Sequence, residues 1–150
     1  MKVTDTASPV PHSRSAFRRF QQVQTRWMDN DMYGHVNNVV YYAWFDSVIT
    51  EYLIREGGLE IQSPDAPALY AVETACRFHR SLAFPETIDA GLRVGHLGNT
   101  SARFEVALFR QNEDKAAATG YFTLVFVDRA RNKPTPIPPP MRACLQRLLG

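Results

Sequence analysis

Residues 27–53, WMDNDMYGHVNNVVYYAWFDSVITEYL, join a polar turn to a long apolar segment. Asn37 and Asn38 are residues that favour a helix N-terminus, and neither glycine nor proline follows them until Gly57. We therefore predict one long helix over residues 37–57. Its apolar residues recur at three- and four-residue steps, and the neighbouring face is apolar as well, so we expect the helix to be covered on most sides.

The turn before this helix concentrates polar side chains: Asp29, Asp31, His35, Asn37 and Asn38. The first N–H groups of a helix have no partner within the helix and carry partial positive charge. They therefore stabilise an anion or a polarised carbonyl placed beside them. A carboxylate held next to that terminus is placed to attack the carbonyl carbon of the group that the terminus polarises. The residues alone do not favour Asp31 over Asp29 for this role.

Five further segments have the pattern of strands: 17–27, 70–78, 87–94, 102–108 and 116–127. The second, third and fourth alternate apolar and polar residues, as a sheet with one wet face requires. In segment 70–78 we expect Tyr70, Val72, Cys76 and Phe78 to share the core-facing side. Segment 116–127 is apolar on both faces, which predicts the longest strand and a place in the interior of the sheet.

The order of one strand, one long helix and four strands predicts an α+β fold, with an antiparallel sheet around a buried helix. Residues 1–16 contain Pro9 and Pro11 without periodicity, which predicts a flexible tail before a single domain over residues 17–150. A short helix is expected over residues 141–149, after a Pro-rich connector. Such a sheet leaves an edge strand uncovered, so pairing with a second copy is expected.

The composition narrows the class of protein. The chain has 150 residues and a formal net charge of +2, too small to indicate a nucleic-acid-binding protein. Asp46 interrupts the best apolar run, so we expect no membrane insertion, and the N-terminus lacks the apolar core of a signal peptide, which predicts a cytoplasmic protein. Cys76 and Cys144 do not have metal-ligand spacing and are expected to be buried thiols; no metal site is predicted.

The motif D-x-D-x-x-G-H-V-N-N-x-x-Y-x-x-x-F at residues 29–45 closely resembles that of the hotdog-fold acyl-CoA thioesterases of the 4-hydroxybenzoyl-CoA thioesterase superfamily. It is similar also to a run in the plant acyl-acyl-carrier-protein thioesterases. The order of elements extends this resemblance over residues 17–127. The resemblance implies a hotdog fold, in which about five antiparallel strands wrap around one long central helix. It also implies active sites at a subunit interface, and hence a homodimer or homotetramer.

The resemblance further implies a role for each residue of the motif. Asp31 matches the catalytic carboxylate, which acts either as the nucleophile or as the base for a water molecule; both alternatives remain open. Asn38 matches the position whose backbone N–H polarises the thioester carbonyl. His35 matches a histidine given a catalytic role in the plant enzymes, whereas the bacterial prototype has an apolar residue there. Apart from coenzyme A as part of the substrate, no cofactor is expected.

The predicted substrate-binding residues are Tyr33, Gly34, Asn37, Tyr41, Arg80 and Ser81. Arg80 and Ser81 are candidates for the phosphates of coenzyme A, as is the basic cluster near residue 131, which consists of Arg129, Arg131 and Lys133. Two of the assigned residues have a purely structural alternative. Asp31 could be a carboxylate that stabilises the turn, and Tyr41 could be a core residue. The predicted function is hydrolysis of an acyl-CoA or acyl-carrier-protein thioester. The alternatives are a non-catalytic acyl-CoA-binding protein and an enzyme like the enoyl-CoA hydratases.

Overall fold

The computed structural model describes residues 9–150, which form a six-stranded antiparallel sheet and two α-helices. The helices are α1 (Asn38–Arg55) and α2 (Pro139–Gln146). The strands are β1 (Arg19–Gln24), β2 (Ala68–Phe78), β3 (Thr87–Leu97), β4 (Ser101–Arg110), β5 (Ala118–Asp128) and β6 (Lys133–Pro134). Their spatial order is β1-β3-β4-β5-β2, and the two-residue β6 pairs with β5. The predicted α+β layout, with its single long helix, is confirmed.

Helix α1 begins and ends close to the predicted residues. Asn37 is its N-cap, and the side-chain oxygen of Asn37 accepts a hydrogen bond from the N–H of Val39 at 3.1 Å. The chain leaves the helix through Gly58, whose φ of +67° favours glycine. The expectation that the helix is covered on most sides is wrong for the single chain. The sheet covers one face, while Val39, Asp46 and other residues on the opposite face are exposed.

The main core lies between the inner face of the sheet and α1. Phe45 of the helix packs over β5, where Gly120 leaves the room that its ring occupies. A second, smaller cluster covers the outer face of β4 and contains Phe17, Ala107, Phe109 and Ala116. Strand β5 lies in the interior of the sheet as predicted, although β2 and β3 are equally long.

Strand β2 corrects the predicted assignment of its faces. A β-bulge between Ala71 and Glu73 shifts its register against β5, and a shift of one residue moves side chains to the opposite face. Phe78 pairs with Ala118 and lies on the helix side, whereas Tyr70 pairs with Val125 on the outer side. The four apolar residues predicted to share one core face are therefore divided between two faces. Because β2 is also an edge strand, most of its residues are exposed.

The two ends of the described chain both contact the sheet. Residues 1–8 lie outside the described residues. Ordered contacts begin earlier than predicted, because Arg14–Ala16 form a short 3-10 helix and Ser13 makes a β-bridge with Lys115. At the other end, the expected short helix is present as α2. The Tyr52 hydroxyl of α1 donates a hydrogen bond to the backbone oxygen of Cys144 in α2 at 2.8 Å.

Burial raises the pKa of the Cys76 thiol to about 12. Among residues 9–150, no helix is long and apolar enough to cross a membrane.

Candidate active site

A depression of about 300 Å³ lies between the N-terminus of α1 and the end of β2. It is lined by His35, Val36, Asn38, Tyr41, Phe78, His79, Arg80 and Ser81. Five of the residues predicted from the sequence for catalysis or binding are among them: His35, Asn38, Tyr41, Arg80 and Ser81. The fold therefore joins the motif before the helix to a pair of polar residues about 40 positions later in the chain.

Backbone hydrogen bonds join these two segments. The N–H of Val36 donates to the oxygen of Leu82 at 2.8 Å, just after β2. The N–H of Phe84 donates to the side-chain oxygen of Asn30 at 3.0 Å. Because both ends of the turn are tied to the same loop, the start of α1 is fixed against the segment that carries Arg80.

Asp29 is the structural carboxylate of the turn. Its side chain is 1% exposed and accepts hydrogen bonds from the backbone N–H of Arg26 at 2.7 Å and from the Arg26 guanidinium at 2.8 Å. Its backbone oxygen accepts from the N–H of Asn37 at 2.8 Å. These contacts confirm the prediction that Asp29 fixes the turn by local hydrogen bonding, and they distinguish it from Asp31.

Asp31 is half-buried and belongs to the turn rather than to the lining of the depression. Its Oδ1 accepts a hydrogen bond from the N–H of Tyr33 at 2.8 Å, and its own N–H donates to the oxygen of His35 at 2.8 Å. Gly34 has a φ of +78°, which closes the turn. Tyr33, Gly34 and Asn37, which were also predicted to bind substrate, likewise do not line the depression.

The first residue of α1 has a backbone N–H without a protein acceptor among residues 9–150. Asn37 accepts from the N–H groups of Val39, through its side chain, and of Val40, through its backbone. No group within residues 9–150 accepts a hydrogen bond from the N–H of Asn38, which is the first residue of the helix. Since Asn38 lines the depression, its N–H and the helix dipole are available to a carbonyl oxygen bound there.

Aromatic side chains form the apolar wall of the depression. The rings of Tyr41 and Phe78 meet edge to face with centroids 4.9 Å apart. Tyr41 is almost fully buried, and burial raises its pKa, whereas Phe78 is 51% exposed. Phe78 was not among the predicted site residues, although the alternation of its segment predicts that it faces the core. The signal that could have identified it is its position two residues before Arg80, the first residue of the predicted pair Arg80 and Ser81.

His79 was also missed, and its ring lies against the outer part of the sheet. The ring Nε2 is 3.0 Å from the hydroxyl of the buried Thr119. Burial lowers the pKa of His79, and the charges of His12, Arg77 and Arg80 lower it further. The basic cluster near residue 131 does not line the depression; there Arg129 donates to the backbone oxygen of Ile61.

Large apolar side chains surround the turn. Trp27, Met28, Met32 and Tyr33 are all at least three-quarters exposed in the single chain. The Trp27 ring contacts that of Phe84 with a centroid distance of 6.0 Å. A contiguous exposed apolar surface marks a place where a ligand or another protein binds.

The fold agrees with the comparisons to known proteins. The family model described as the thioesterase-like superfamily matches residues 23–145. The chain belongs to this superfamily. Its sheet wrapped around a central helix is the hotdog fold.

Three relatives illustrate the range of similarity. The PA5185 protein of Pseudomonas aeruginosa strain PAO1 is 44% identical, with a TM-score of 0.89 over 95% of this chain and 98% of its own. A candidate thioesterase of Pseudomonas aeruginosa, PA2801, is 26% identical, with a TM-score of 0.76 over 83% of this chain and 95% of its own. YsmA of Bacillus subtilis (strain 168) is 24% identical over 126 residues, which are 83% of each chain.

Proposed function

We propose that this protein hydrolyses an acyl thioester, acyl-CoA or acyl-carrier-protein, to a carboxylic acid and a free thiol. The observation that supports this most directly is the unused N–H of Asn38 at the start of α1, next to the turn that carries Asp31. An oxyanion formed at the thioester carbonyl needs such a donor, and the helix dipole strengthens it. Membership of the thioesterase-like superfamily supports the same reaction.

Asp31 is the proposed catalytic carboxylate. As a nucleophile it forms an acyl-carboxylate intermediate and expels the thiolate, and water then hydrolyses the intermediate; as a base it takes a proton from the water that attacks the carbonyl. In both routes the C–S bond breaks and the thiolate leaves. A single turnover in ¹⁸O-water tests the nucleophilic route: water attack on the Asp31 carboxyl carbon of the anhydride leaves an original oxygen of Asp31 in the acid, which the general-base route never does. His35, which lines the depression, is the proposed hydrogen-bonding partner of the substrate carbonyl.

We propose that the active unit is at least a homodimer formed along β2, with a homotetramer as the larger alternative. Strand β2 is an edge of the sheet, and its apolar residues Tyr70, Val72 and Phe78 are each about half exposed or more. Phe78 also forms the outer wall of the depression, so a second chain along β2 would close that wall. In the dimer, the exposed apolar residues of the turn are further candidates for the acyl-binding surface.

The decisive test of hydrolysis compares Asp31, in the turn before α1, with Asp46, in the middle of α1. Thiol release is measured over a panel of acyl-CoA substrates for Asp31→Asn and for Asp46→Asn, an exposed position on the open face of the helix. We expect Asp31→Asn to lower kcat by about 10²-fold or more and Asp46→Asn to leave it unchanged. Normal turnover of a folded Asp31→Asn variant would contradict the mechanism.

One observation favours a second function, in which the protein binds acyl thioesters without cleaving them. Asp31 does not line the depression, and its Oδ1 is already bonded to the N–H of Tyr33. The same substrate panel distinguishes the two functions, since calorimetric binding of an acyl-CoA without any thiol release would establish a binding protein and exclude the hydrolase.

A further inference from the structure

The segment before β1 forms a strap, residues 12–16, along the connection between β4 and β5. Its backbone is bonded to the connection between β4 and β5: the N–H of Arg14 donates to the oxygen of Asp114 at 2.8 Å, and the oxygen of His12 accepts from the N–H of Ala116 at 2.9 Å. The side chain of Lys115 donates to the hydroxyl of Ser13 at 2.8 Å. The strap and this connection therefore form one hydrogen-bonded unit.

The Arg14 side chain is the centre of this unit. Its Nε donates to the backbone oxygen of Glu113 at 3.0 Å, and its Nη2 donates to the backbone oxygen of Arg110 at 3.0 Å. Its Nη1 is 2.9 Å from a carboxylate oxygen of Asp89, and the guanidinium lies 4.8 Å from the centroid of the Phe109 ring. A planar guanidinium whose three nitrogens all donate hydrogen bonds fixes the position of the backbone that it contacts.

The same connection holds Arg80 at the rim of the depression. The Nη1 of Arg80 is 3.2 Å from a carboxylate oxygen of Glu113, and its Nη2 donates to the backbone oxygen of Lys115 at 2.6 Å. Arg80 is exposed, so its long side chain has many accessible rotamers without these two contacts. The strap also reaches this region directly, because the rings of His12 and His79 are 6.0 Å apart.

We propose that Arg14 is a positioning residue for substrate binding: it fixes the connection between β4 and β5, which in turn holds the Arg80 guanidinium where it binds the phosphates of coenzyme A. This inference rests on the proposed function and on the prediction that Arg80 contacts the phosphates of coenzyme A. Arg14 itself touches no substrate. By holding Arg80 in place before binding, it removes the entropic cost of ordering that side chain in the complex.

The test is a double-mutant cycle on the full chain. The dissociation constant of free coenzyme A is measured by calorimetry, and KM and kcat by thiol release, for Arg80→Gln, Arg14→Gln and the double variant. We expect Arg80→Gln to weaken binding about tenfold, as the loss of one charged contact to phosphate. Arg14→Gln should weaken it about fivefold with kcat unchanged, and the double variant should bind no more weakly than Arg80→Gln alone.

Two further variants separate positioning from general stability. Arg14→Lys keeps the charge but loses the planar fork, so it should lie between wild type and Arg14→Gln. Arg19→Gln removes the arginine at the start of β1, which forms an exposed ion pair with Glu56, and should change neither binding nor KM. Thermal unfolding of each variant is recorded, since a purely structural role would lower stability without the selective rise in KM.

The outcomes distinguish this inference from the proposed hydrolysis. Unchanged coenzyme A binding and KM in Arg14→Gln would overturn it, as would additive effects of Arg14→Gln and Arg80→Gln or a failure of Arg80→Gln to weaken binding. If the wild type cleaves no thioester yet the two variants are coupled in coenzyme A binding, the hydrolase is excluded and the positioning role stands.

Discussion

Strands β4 and β2 have similar alternating sequences but opposite surroundings. From Ala102 to Phe109, β4 is almost entirely buried, because it lies between β3 and β5, with α1 on one face and the Phe17 cluster on the other. Strand β2 pairs with β5 alone and exposes most of its residues. Alternation thus predicts which side chains point the same way. It does not predict what covers each face, which depends on the position of the strand in the sheet.

The largest expected contrast is between two phenylalanines on the inner face of the sheet. Phe104 of β4 is 0% exposed, whereas Phe78 of β2 is 51% exposed. Phe104→Ala should lower the free energy of unfolding by about 4 kcal/mol, a fall in Tm of roughly 10 °C for a chain of this size. Phe78→Ala should cost under about 1 kcal/mol in stability and instead impair substrate turnover. Chemical denaturation with circular dichroism measures the first effect; equal destabilisation by the two substitutions would contradict the contrast.

A smaller contrast is expected between two glutamates on the outer face. Glu105 of β4 is almost fully buried, with Arg93 at 2.7 Å and Arg103 at 3.1 Å. Glu73 of β2 is exposed and accepts one hydrogen bond from the Tyr121 hydroxyl at 2.8 Å. Glu105→Gln removes the negative charge that both partly buried arginines face and should cost about 3 kcal/mol. Glu73→Gln should change stability by less than about 0.5 kcal/mol.

Denaturant unfolding of both glutamine variants at one pH and salt concentration measures this difference directly. High salt serves as the control, because it screens exposed charges far more than buried ones. A Glu105→Gln variant as stable as wild type would show that the β4 ion pairs contribute no net stability.

The helix was predictable because all its signals are local. The cap at Asn37, the apolar periodicity and the glycines after residue 56 lie within or next to the helix itself. The bulge in β2 has no such signal, since it arises from the pairing of β2 with β5. The contacts of Arg14 were missed for the same reason: its partners lie 75 to 99 residues away in the sequence.

The candidate site was predictable in part. His35, Asn38 and Tyr41 were predicted from the motif, and Arg80 and Ser81 were predicted as a separate polar pair. All five line the same depression, because the segment after β2 lies beside the start of α1. Phe78 and His79 were missed because the alternation within a strand does not show which helix terminus its end will face; only their position just before Arg80 and Ser81 indicated the site. The catalytic role of Asp31 stays a prediction, because the hydrogen bond that its side chain accepts comes from Tyr33 within the turn.

Val72→Lys is expected to have the smallest effect on the fold of the chain. It is also the sharpest test of β2 as an interface. Val72 lies in the bulge and is 62% exposed, so Val72→Lys should leave the circular dichroism spectrum of the chain unchanged. If a second copy pairs along β2, the buried lysine charge would disfavour that pairing, and light scattering should show the mass of one chain instead of two. Ile61→Lys, at an exposed position in the loop before β2, is the matched control and should keep the wild-type mass. A Val72→Lys variant that still dimerises at micromolar concentration would place the interface elsewhere, and the open wall beside Phe78 would then need another explanation.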